Sequence, residues 1–306
     1  MAATSGPGCI CVDGRLLAPH QATVSALDAG FLLGDGLFES LHALDGSPYL
    51  LDRHLERLYA GAEELGFEGM PTRELLCELV LATLTRADLD DAYLRVTVTR
   101  GRAGVPPAPP DGSPTVVIAA LPAPARRDPA DGIDVALVGE PSQHGPKAKS
   151  TSRQGAVTAK LRAERSGAQE GLYVSARRRV LEGTASNVFA LSAGRLLTPP
   201  AEDCLPGITR GRLLELARQD GIKAIEAPLE VEALLSAEEA FVTNAVQGLR
   251  AIDRIDGHSL PSRGEGGVFA RLASLYKADR TFGKPDRASG KPTERVGSRL
   301  SEWEAD

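Results

Sequence analysis

The chain has 306 residues, of which 42% are hydrophobic and 25% charged, and its formal net charge is -6 at pH 7. These values are typical of a globular protein that is long enough to form two modest subdomains. A mildly acidic chain without a basic stripe argues against a nucleic-acid partner, and no apolar run approaches the roughly 20 residues that span a bilayer.

The first third of the chain predicts hairpins, helices and strands in turn. Apolar and polar residues alternate over 9–17 and turn at Asp13-Gly14, and a second hairpin turns at Asp45-Gly46. A helical pattern begins after Asp52 and ends at Gly66, and a second helix spans about 72–84. Alternating and continuous apolar runs then predict strands at 93–99 and 115–121.

Residues 122–129 are rich in proline and polar side chains, which makes them the best candidate for a linker. Beyond them, strands are predicted at 133–138, 172–174, 187–191 and 240–243, and helices at about 155–166 and 209–220. From Gly283 onward few apolar residues occur, so this segment is expected to be disordered. The predicted organisation is a small N-terminal α/β subdomain (1–121), the linker (122–129), a large C-terminal subdomain (130–282) and a disordered tail (283–306).

The four cysteines and five histidines show no metal-ligand spacing, so no metal site is predicted. The N-terminus lacks the apolar stretch of a signal peptide. Reduced thiols and a cytoplasmic location are therefore expected.

Several separated segments carry residues that are suited to chemistry. They are DAGFLLGDGLFE at 28–39, LLDRHLERL at 50–58, KSTSR at 149–153, LEGTASNVF at 181–189 and LPGITR at 205–210, followed by TNAV at 243–246. Their order and spacing resemble the class IV aminotransferases, over about residues 9–282. The resemblance implies an α/β (α+β) two-subdomain enzyme of fold type IV, with pyridoxal 5'-phosphate in the cleft between the subdomains, and a homodimer.

Lys149 is the candidate for the lysine that forms the imine with this cofactor. Such a lysine must lose its proton, so it needs a partly desolvated or cation-flanked position. Lys147 and Arg153 flank it, although residue type alone favours a solvated loop lysine, since lysines are mostly exposed. The resemblance identifies Lys149, because the competing candidate Lys147 lacks the Ser-Thr-Ser-Arg continuation.

The other cofactor contacts follow from residue type together with the resemblance. Glu182 at a strand end can keep the pyridine nitrogen protonated, or it is an ordinary surface glutamate. Ile208 and Thr209 enter a helix whose free N–H groups suit a phosphate, and Thr209 also suits a helix N-cap. The full expected set of cofactor contacts is Arg57, Lys149, Arg153, Glu182, Ile208, Thr209 and Asn244.

Three residues of that set have more specific expected roles. Arg57 would form a charge-assisted bond to the phosphate, unless it lies on a solvated helix face. Asn244 would add a phosphate contact. Arg153 takes the place of the residue that neighbours the phenolic oxygen of the cofactor in relatives, whereas Ser186 and Asn187 are expected to support a turn.

Branched-chain aminotransferases, D-amino-acid aminotransferases and 4-amino-4-deoxychorismate lyases share this scaffold. The Asn244-Ala245 pair and Arg153 favour the lyase, which releases pyruvate and 4-aminobenzoate, a folate precursor. The alternatives are a class IV aminotransferase acting on branched-chain L-amino acids or on D-amino acids, and a non-catalytic protein that only binds the cofactor. Phe38, Arg100 and Arg102 are the candidate substrate contacts, although the tyrosine that many lyases carry after Arg102 is missing.

Overall fold

A computed structural model describes residues 6–103, 113–140, 148–261 and 266–282. These residues form two compact units: unit 1 comprises 6–103, 113–124 and 148–152, and unit 2 comprises 125–140, 153–261 and 266–282. Lys147 and the predicted tail at 283–306 lie outside the described residues. Among the helices that the structure describes, none is long and apolar enough to cross a membrane.

Unit 1 is an antiparallel six-stranded sheet with helices packed against it, and its strand order is β2-β1-β6-β5-β3-β4. The strands are β1 (Cys9–Val12), β2 (Arg15–Leu17), β3 (Gly36–Leu44), β4 (Ser47–Pro48), β5 (Asp91–Thr99) and β6 (Thr115–Pro122). The helices are α1 (Ala29–Leu33), α2 (Leu51–Glu64) and α3 (Arg73–Ala87), with a short 3-10 helix at Pro19–Gln21.

Both predicted hairpins of unit 1 are confirmed. Asp13 and Gly14 have φ values of 46° and 78°, and Asp45 and Gly46 have φ values of 50° and 73°. Two successive residues with positive φ match the right-handed twist of the flanking strands, which is why Asp-Gly is favoured there.

The core of unit 1 lies between the sheet and helices α2 and α3. Leu94, Val96 and Val98 alternate along β5 towards this core and are fully buried. Helix α3 begins where the Thr72 hydroxyl accepts a hydrogen bond from the Leu75 amide at 3.2 Å, as an N-cap does. The predicted helices at 52–66 and 72–84 are thus confirmed to within a few residues.

Residues 148–152 run alongside β3, although the expected C-terminal subdomain included them. The Phe38 amide donates to the Lys149 carbonyl at 2.9 Å, and the Thr151 amide donates to the Gly36 carbonyl at 2.7 Å. A Cβ on Gly36 would lie 3.0 Å from the Thr151 hydroxyl, so this approach favours glycine. The backbone of Lys149 is therefore fixed by β3.

Unit 2 contains a mixed sheet in the order β12-β11-β10-β14-β15-β7-β8-β9-β13, with β16 paired to β15. The strands are β7 (Ile133–Val138), β8 (Glu170–Val174), β9 (Arg179–Gly183), β10 (Asn187–Ser192), β11 (Arg195–Thr198), β12 (Ala224–Glu226), β13 (Leu229–Glu230), β14 (Glu239–Asn244), β15 (Gly248–Ile255) and β16 (His258–Ser259). The helices are α4 (Gln154–Arg165), α5 (Ile208–Gln219), α6 (Val231–Leu235) and α7 (Val268–Phe282). Phe241 stacks on Phe189 at 5.0 Å and meets Phe269 at 5.5 Å, which anchors α7 to the sheet.

Candidate active site

Lys149 lies in unit 1 at a half-buried position beside β3. Its Nζ atom is 4.8 Å from the centroid of the Phe38 ring. Its charge also acts on the buried His54 side chain of α2. Unit 1 therefore brings two predicted site residues, Lys149 and Phe38, together.

A buried carboxylate, Glu39, organises the same region. Arg57 donates from Nε to Glu39 Oε1 and from Nη2 to Glu39 Oε2, both at 2.7 Å, and His54 Nδ1 lies 2.7 Å from Oε2. The Glu39 side chain is 1% exposed and that of Arg57 is 14% exposed, so Arg57 does not lie on a solvated face. We call this set, Glu39, His54 and Arg57, the carboxylate cluster.

The charges within the carboxylate cluster are set by burial and pairing. Burial alone would raise the pKa of Glu39, but hydrogen bonds from His54 and Arg57 and the Arg57 charge lower it to about 2. Burial lowers the pKa of His54, and the charges of Arg57 and Lys149 lower it further, although Glu39 opposes them. At neutral pH the cluster thus holds an ionised Glu39, a charged Arg57 and a neutral His54.

Acid should destabilise the protein through His54. Folding lowers the pKa of His54 from 6.5. The contribution of neutral His54 to the free energy of unfolding is therefore present above pH 6.5, and it is lost as the pH falls from 6.5 through the lower pKa of the folded state. The free energy of unfolding should fall by up to about 1.4 kcal/mol per pH unit for this one proton. Denaturant titrations between pH 7 and 5 should show a shallower fall in His54→Asn than in the parent chain. The exposed His258→Asn variant should keep the parent slope, and equal slopes in all three proteins would contradict the assignment.

Arg95 was missed by the sequence analysis. Its Cζ atom lies 3.9 Å from the Phe38 ring centroid, and its Nε donates to the Thr97 hydroxyl at 3.2 Å. No carboxylate among the described residues pairs with Arg95. Strand alternation is the sequence feature that could have identified Arg95. It puts Tyr93, Arg95 and Thr97 on the face of β5 opposite the core.

Arg100 and Arg102, the predicted substrate contacts, lie elsewhere on unit 1. Arg100 pairs with Asp35 at 2.9 Å and donates to the carbonyls of Leu65 and Gly66 at the end of α2. Its guanidinium also lies 4.2 Å from the centroid of the Phe67 ring. These contacts favour a structural role for Arg100, because its donors close the C-terminus of a helix. Arg102 is exposed, and its backbone pairs with that of Asp28 in an isolated antiparallel β-bridge.

In unit 2, Arg153 and Glu182 both contact the backbone of neighbouring turns, and the charges of both act on Tyr173. Arg153 Nη2 donates to the Thr184 carbonyl at 2.5 Å, and Glu182 Oε2 accepts from the Leu205 amide at 3.0 Å. Burial raises the pKa of Tyr173, with a lowering contribution from the Arg153 charge and a raising one from Glu182. Tyr173 was not singled out from the sequence, since it lies inside an apolar strand.

The turn after Glu182 is held by a buried network, as expected for Ser186 and Asn187. Glu170 accepts from the Thr184 and Ser186 hydroxyls at 2.5 and 3.1 Å, and Asn187 Nδ2 donates to the Leu205 carbonyl at 2.9 Å. The network fixes the backbone that carries Glu182, because fully satisfied buried polar groups rigidify their surroundings.

The start of helix α5 suits an anion. Its N-cap is Gly207, with no side-chain cap, so the suggested N-cap role of Thr209 is wrong. Ile208 is the first helical residue, and the Thr209 hydroxyl lies 3.4 Å from that of Tyr276. The uncapped N–H groups and the positive end of a twelve-residue helix favour a phosphate.

The end of β14 adds two further polar groups to unit 2. Asn244 Oδ1 accepts from the amides of Val246 and Gln247 at 3.1 and 2.8 Å, so it closes its own turn. Within the part of the chain that the structure describes, the Thr243 hydroxyl is buried without a hydrogen-bond partner. A buried orphan of this kind is costly unless a ligand or water satisfies it. The donors and acceptors of unit 2 therefore fit a ligand with a phosphate and a basic ring nitrogen.

Comparisons with known proteins agree with this chemistry. The family model described as amino-transferase class IV matches residues 36–255. A Methanocaldococcus jannaschii protein, provisionally named a branched-chain-amino-acid aminotransferase, is 34% identical over 277 residues, which covers 89% of this chain and 96% of that protein. The aminodeoxychorismate lyase of Bacillus subtilis is 29% identical over 278 residues, covering 88% and 94% of the two chains. The crystal structure of a branched-chain aminotransferase from Thermoproteus uzoniensis with norvaline has a TM-score of 0.85 and 29% identity, covering 92% of this chain and 97% of that chain.

Proposed function

Because the chain belongs to the class IV aminotransferase family, we propose that it transfers amino groups to and from branched-chain L-amino acids. Pyridoxal 5'-phosphate is its cofactor. Transamination therefore replaces lyase activity as the leading hypothesis. Lyase activity becomes the second candidate function.

The identities of the relatives support the aminotransferase over the lyase. The Methanocaldococcus jannaschii relative is 34% identical to the chain, compared with 29% for the Bacillus subtilis lyase. The lyase hypothesis depended on the Asn244-Ala245 pair and on Arg153, but the Asn244 side chain closes its own turn and is a poor marker of substrate. Both the archaeal relative and the Thermoproteus uzoniensis protein are named as branched-chain aminotransferases.

The observation that carries the proposal is the stacking of Arg95 on Phe38, whose ring also meets Lys149. An aminotransferase must accept two different side chains in turn at one site. The Phe38 ring offers an apolar surface, and a guanidinium on that ring can bind a carboxylate. This pair therefore suits exchange between an apolar amino acid and an acidic partner such as 2-oxoglutarate.

The residues that would hold the cofactor follow from the chemistry of each donor. Arg57, Ile208, Thr209 and Asn244 would hold the phosphate, and Lys149 would bind the aldehyde covalently through its amine. When bound, the cofactor supplies an electron sink for negative charge at the substrate α-carbon.

The protein contributes charge and proton transfer to that chemistry. The Glu182 carboxylate keeps the pyridine nitrogen protonated, and the Arg153 charge stabilises the phenolic oxygen as an anion. Once the substrate amine has displaced Lys149 from the aldehyde, the freed Lys149 amine would remove the proton from the substrate α-carbon as a general base and deliver it again as an acid. Proton return distinguishes an aminotransferase from a lyase, in which the side chain leaves instead.

The decisive experiment compares two substrate sets with the purified holoenzyme. With L-leucine and 2-oxoglutarate we expect equal amounts of 4-methyl-2-oxopentanoate and glutamate. With 4-amino-4-deoxychorismate we expect no 4-aminobenzoate. Production of 4-aminobenzoate and pyruvate without transamination would favour the lyase hypothesis. Activity with D-alanine alone would favour a D-amino-acid aminotransferase. Inactivity with every substrate would favour a protein that only binds the cofactor.

Removing the Arg95 charge should affect the acidic substrate selectively. A charge-assisted bond to a carboxylate contributes about 1.5–3 kcal/mol, so Arg95→Gln should raise the KM for 2-oxoglutarate about 10- to 100-fold. The KM for L-leucine should change by less than about 3-fold, because the Phe38 surface remains. Steady-state kinetics check this, with Arg254→Gln, which removes a surface pair with Asp134, as the matched control. Equal losses for both substrates would contradict the role.

We also propose a cytoplasmic homodimer. Five apolar side chains in and before α1, which are Val24, Leu27, Phe31, Leu32 and Leu33, are 42–72% exposed. Contiguous exposed apolar groups mark association sites, and twofold dimers are the commonest oligomers. Light scattering at micromolar concentration should give the mass of two chains, and Phe31→Glu should shift it towards one.

A further inference from the structure

Glu39 is a buried charge to which the proposed reaction assigns no role. It lies on β3 next to Phe38, and the residue is 0% exposed. Both carboxylate oxygens are used, by Arg57 and His54 of α2. An ionised carboxylate at such a depth persists only when its partners replace the lost water.

The geometry of the pair fixes Arg57 more firmly than a single ion pair would. The Nε and Nη2 atoms each meet a different oxygen of Glu39 at 2.7 Å, which is the bidentate arrangement that sets the plane of a guanidinium. His54 lies three residues before Arg57 on α2 and holds the same carboxylate from the side.

We propose that Glu39 is a positioning residue that orients Arg57 towards the cofactor phosphate. This inference rests on the proposed role of Arg57. An arginine with free rotamers would lose conformational entropy when the phosphate binds, whereas the arginine held by Glu39 has already lost it. The negative charge of Glu39 also offsets the positive charge of Arg57. Lys149 lies close enough for its charge to lower the pKa of His54 in the carboxylate cluster.

The same strand provides a comparison for a purely structural pair. His42 of β3, buried like His54, forms a hydrogen bond with Asp91. Asp91→Asn therefore changes a histidine–carboxylate contact between β3 and β5, in which the histidine is buried and the carboxylate is partly exposed, without touching Arg57. If Glu39 only stabilises the fold, the two contacts should behave alike.

The test measures cofactor binding by the apoprotein of the full chain, not turnover. Glu39→Gln should weaken binding of pyridoxal 5'-phosphate about 10-fold, while binding of pyridoxal, which lacks the phosphate, should change less than about 2-fold. Arg57→Gln should weaken the phosphorylated form at least as much. Adding Glu39→Gln to Arg57→Gln should have no further effect, because the two residues act through one contact. Asp91→Asn should bind both ligands like the parent.

Three results would overturn the proposal. They are equal losses for pyridoxal and pyridoxal 5'-phosphate, additive effects of the two substitutions, and normal cofactor affinity in Arg57→Gln. If Glu39→Gln does not fold, Glu39→Asp keeps the charge but is one methylene too short for both contacts, and the same selective loss is expected at about 3-fold. None of these binding measurements depends on which substrate is transaminated. The binding results can therefore reject the role of Glu39 without rejecting the proposed function, and the product assay can do the reverse.

Discussion

Replacing Lys149 with alanine should abolish both the covalent attachment of the cofactor and nearly all turnover. General acid–base catalysis alone is worth about 10²–10⁴-fold, and the variant also loses the anchoring bond, so a fall in kcat of at least about 10³-fold is expected. The backbone should hold its place, because the Phe38 amide bonds to the carbonyl of residue 149 and not to its side chain. The apoprotein of the variant should therefore keep the melting temperature of the parent apoprotein within a few degrees.

Two measurements separate Lys149 from its neighbour. Borohydride reduction of the parent holoenzyme followed by peptide mass spectrometry should place the cofactor mass on Lys149 and nowhere else. Lys147→Ala, two residues earlier in the chain, should stay active and should be labelled normally. Labelling of Lys147, or an active Lys149→Ala variant, would transfer the role to another amine.

Replacing Glu182 with glutamine should have the second-largest effect. The amide oxygen can still accept from the Leu205 amide, so the 3.0 Å contact survives while the negative charge is lost. If Glu182 has the proposed role, the pyridine nitrogen would lose its proton without that charge, and the electron sink would weaken. Because loss of one stabilising electrostatic group at a reacting centre costs about 10²–10³-fold, we expect a similar fall in kcat.

The control for Glu182 is Glu230→Gln on the neighbouring strand β13, where Glu230 pairs with Arg179. This variant should keep the parent kcat. Glu182→Asp should recover part of the activity, because it restores the charge at a shorter reach. Cofactor absorbance as a function of pH supplies an independent readout, since removing the Glu182 charge should change the titration of the bound chromophore. A Glu182→Gln enzyme with parent kcat and parent absorbance would contradict the assignment.

Local chemistry explains which elements the sequence alone could predict. The two Asp-Gly hairpins depend on residues that tolerate positive φ, and α3 depends on its own Thr72 cap and apolar spacing. These preferences act within a few residues and need no distant partner. The cofactor family could likewise be identified from motif order, because the segments keep their spacing along the chain.

Strand β15 shows what local patterns could not predict. Arg250, Asp253 and Arg254 interrupt its apolar pattern, so alternation does not reveal a strand. It is a strand because β14 pairs with one edge and β7 with the other. Backbone hydrogen bonds from two neighbours outweigh weak local preference.

The contents of the candidate site were decided in the same way. The motifs around Lys149 and Glu182 indicate an enzyme that uses a cofactor. The sequence by itself was therefore sufficient to identify the family and its chemistry. Only the tertiary structure paired Glu39 with Arg57, eighteen residues apart, and stacked Arg95 on Phe38. Those contacts arise because α2 packs on β3 and β5 lies beside β3, and the energy of a side-chain contact depends on such packing and not on distance along the chain.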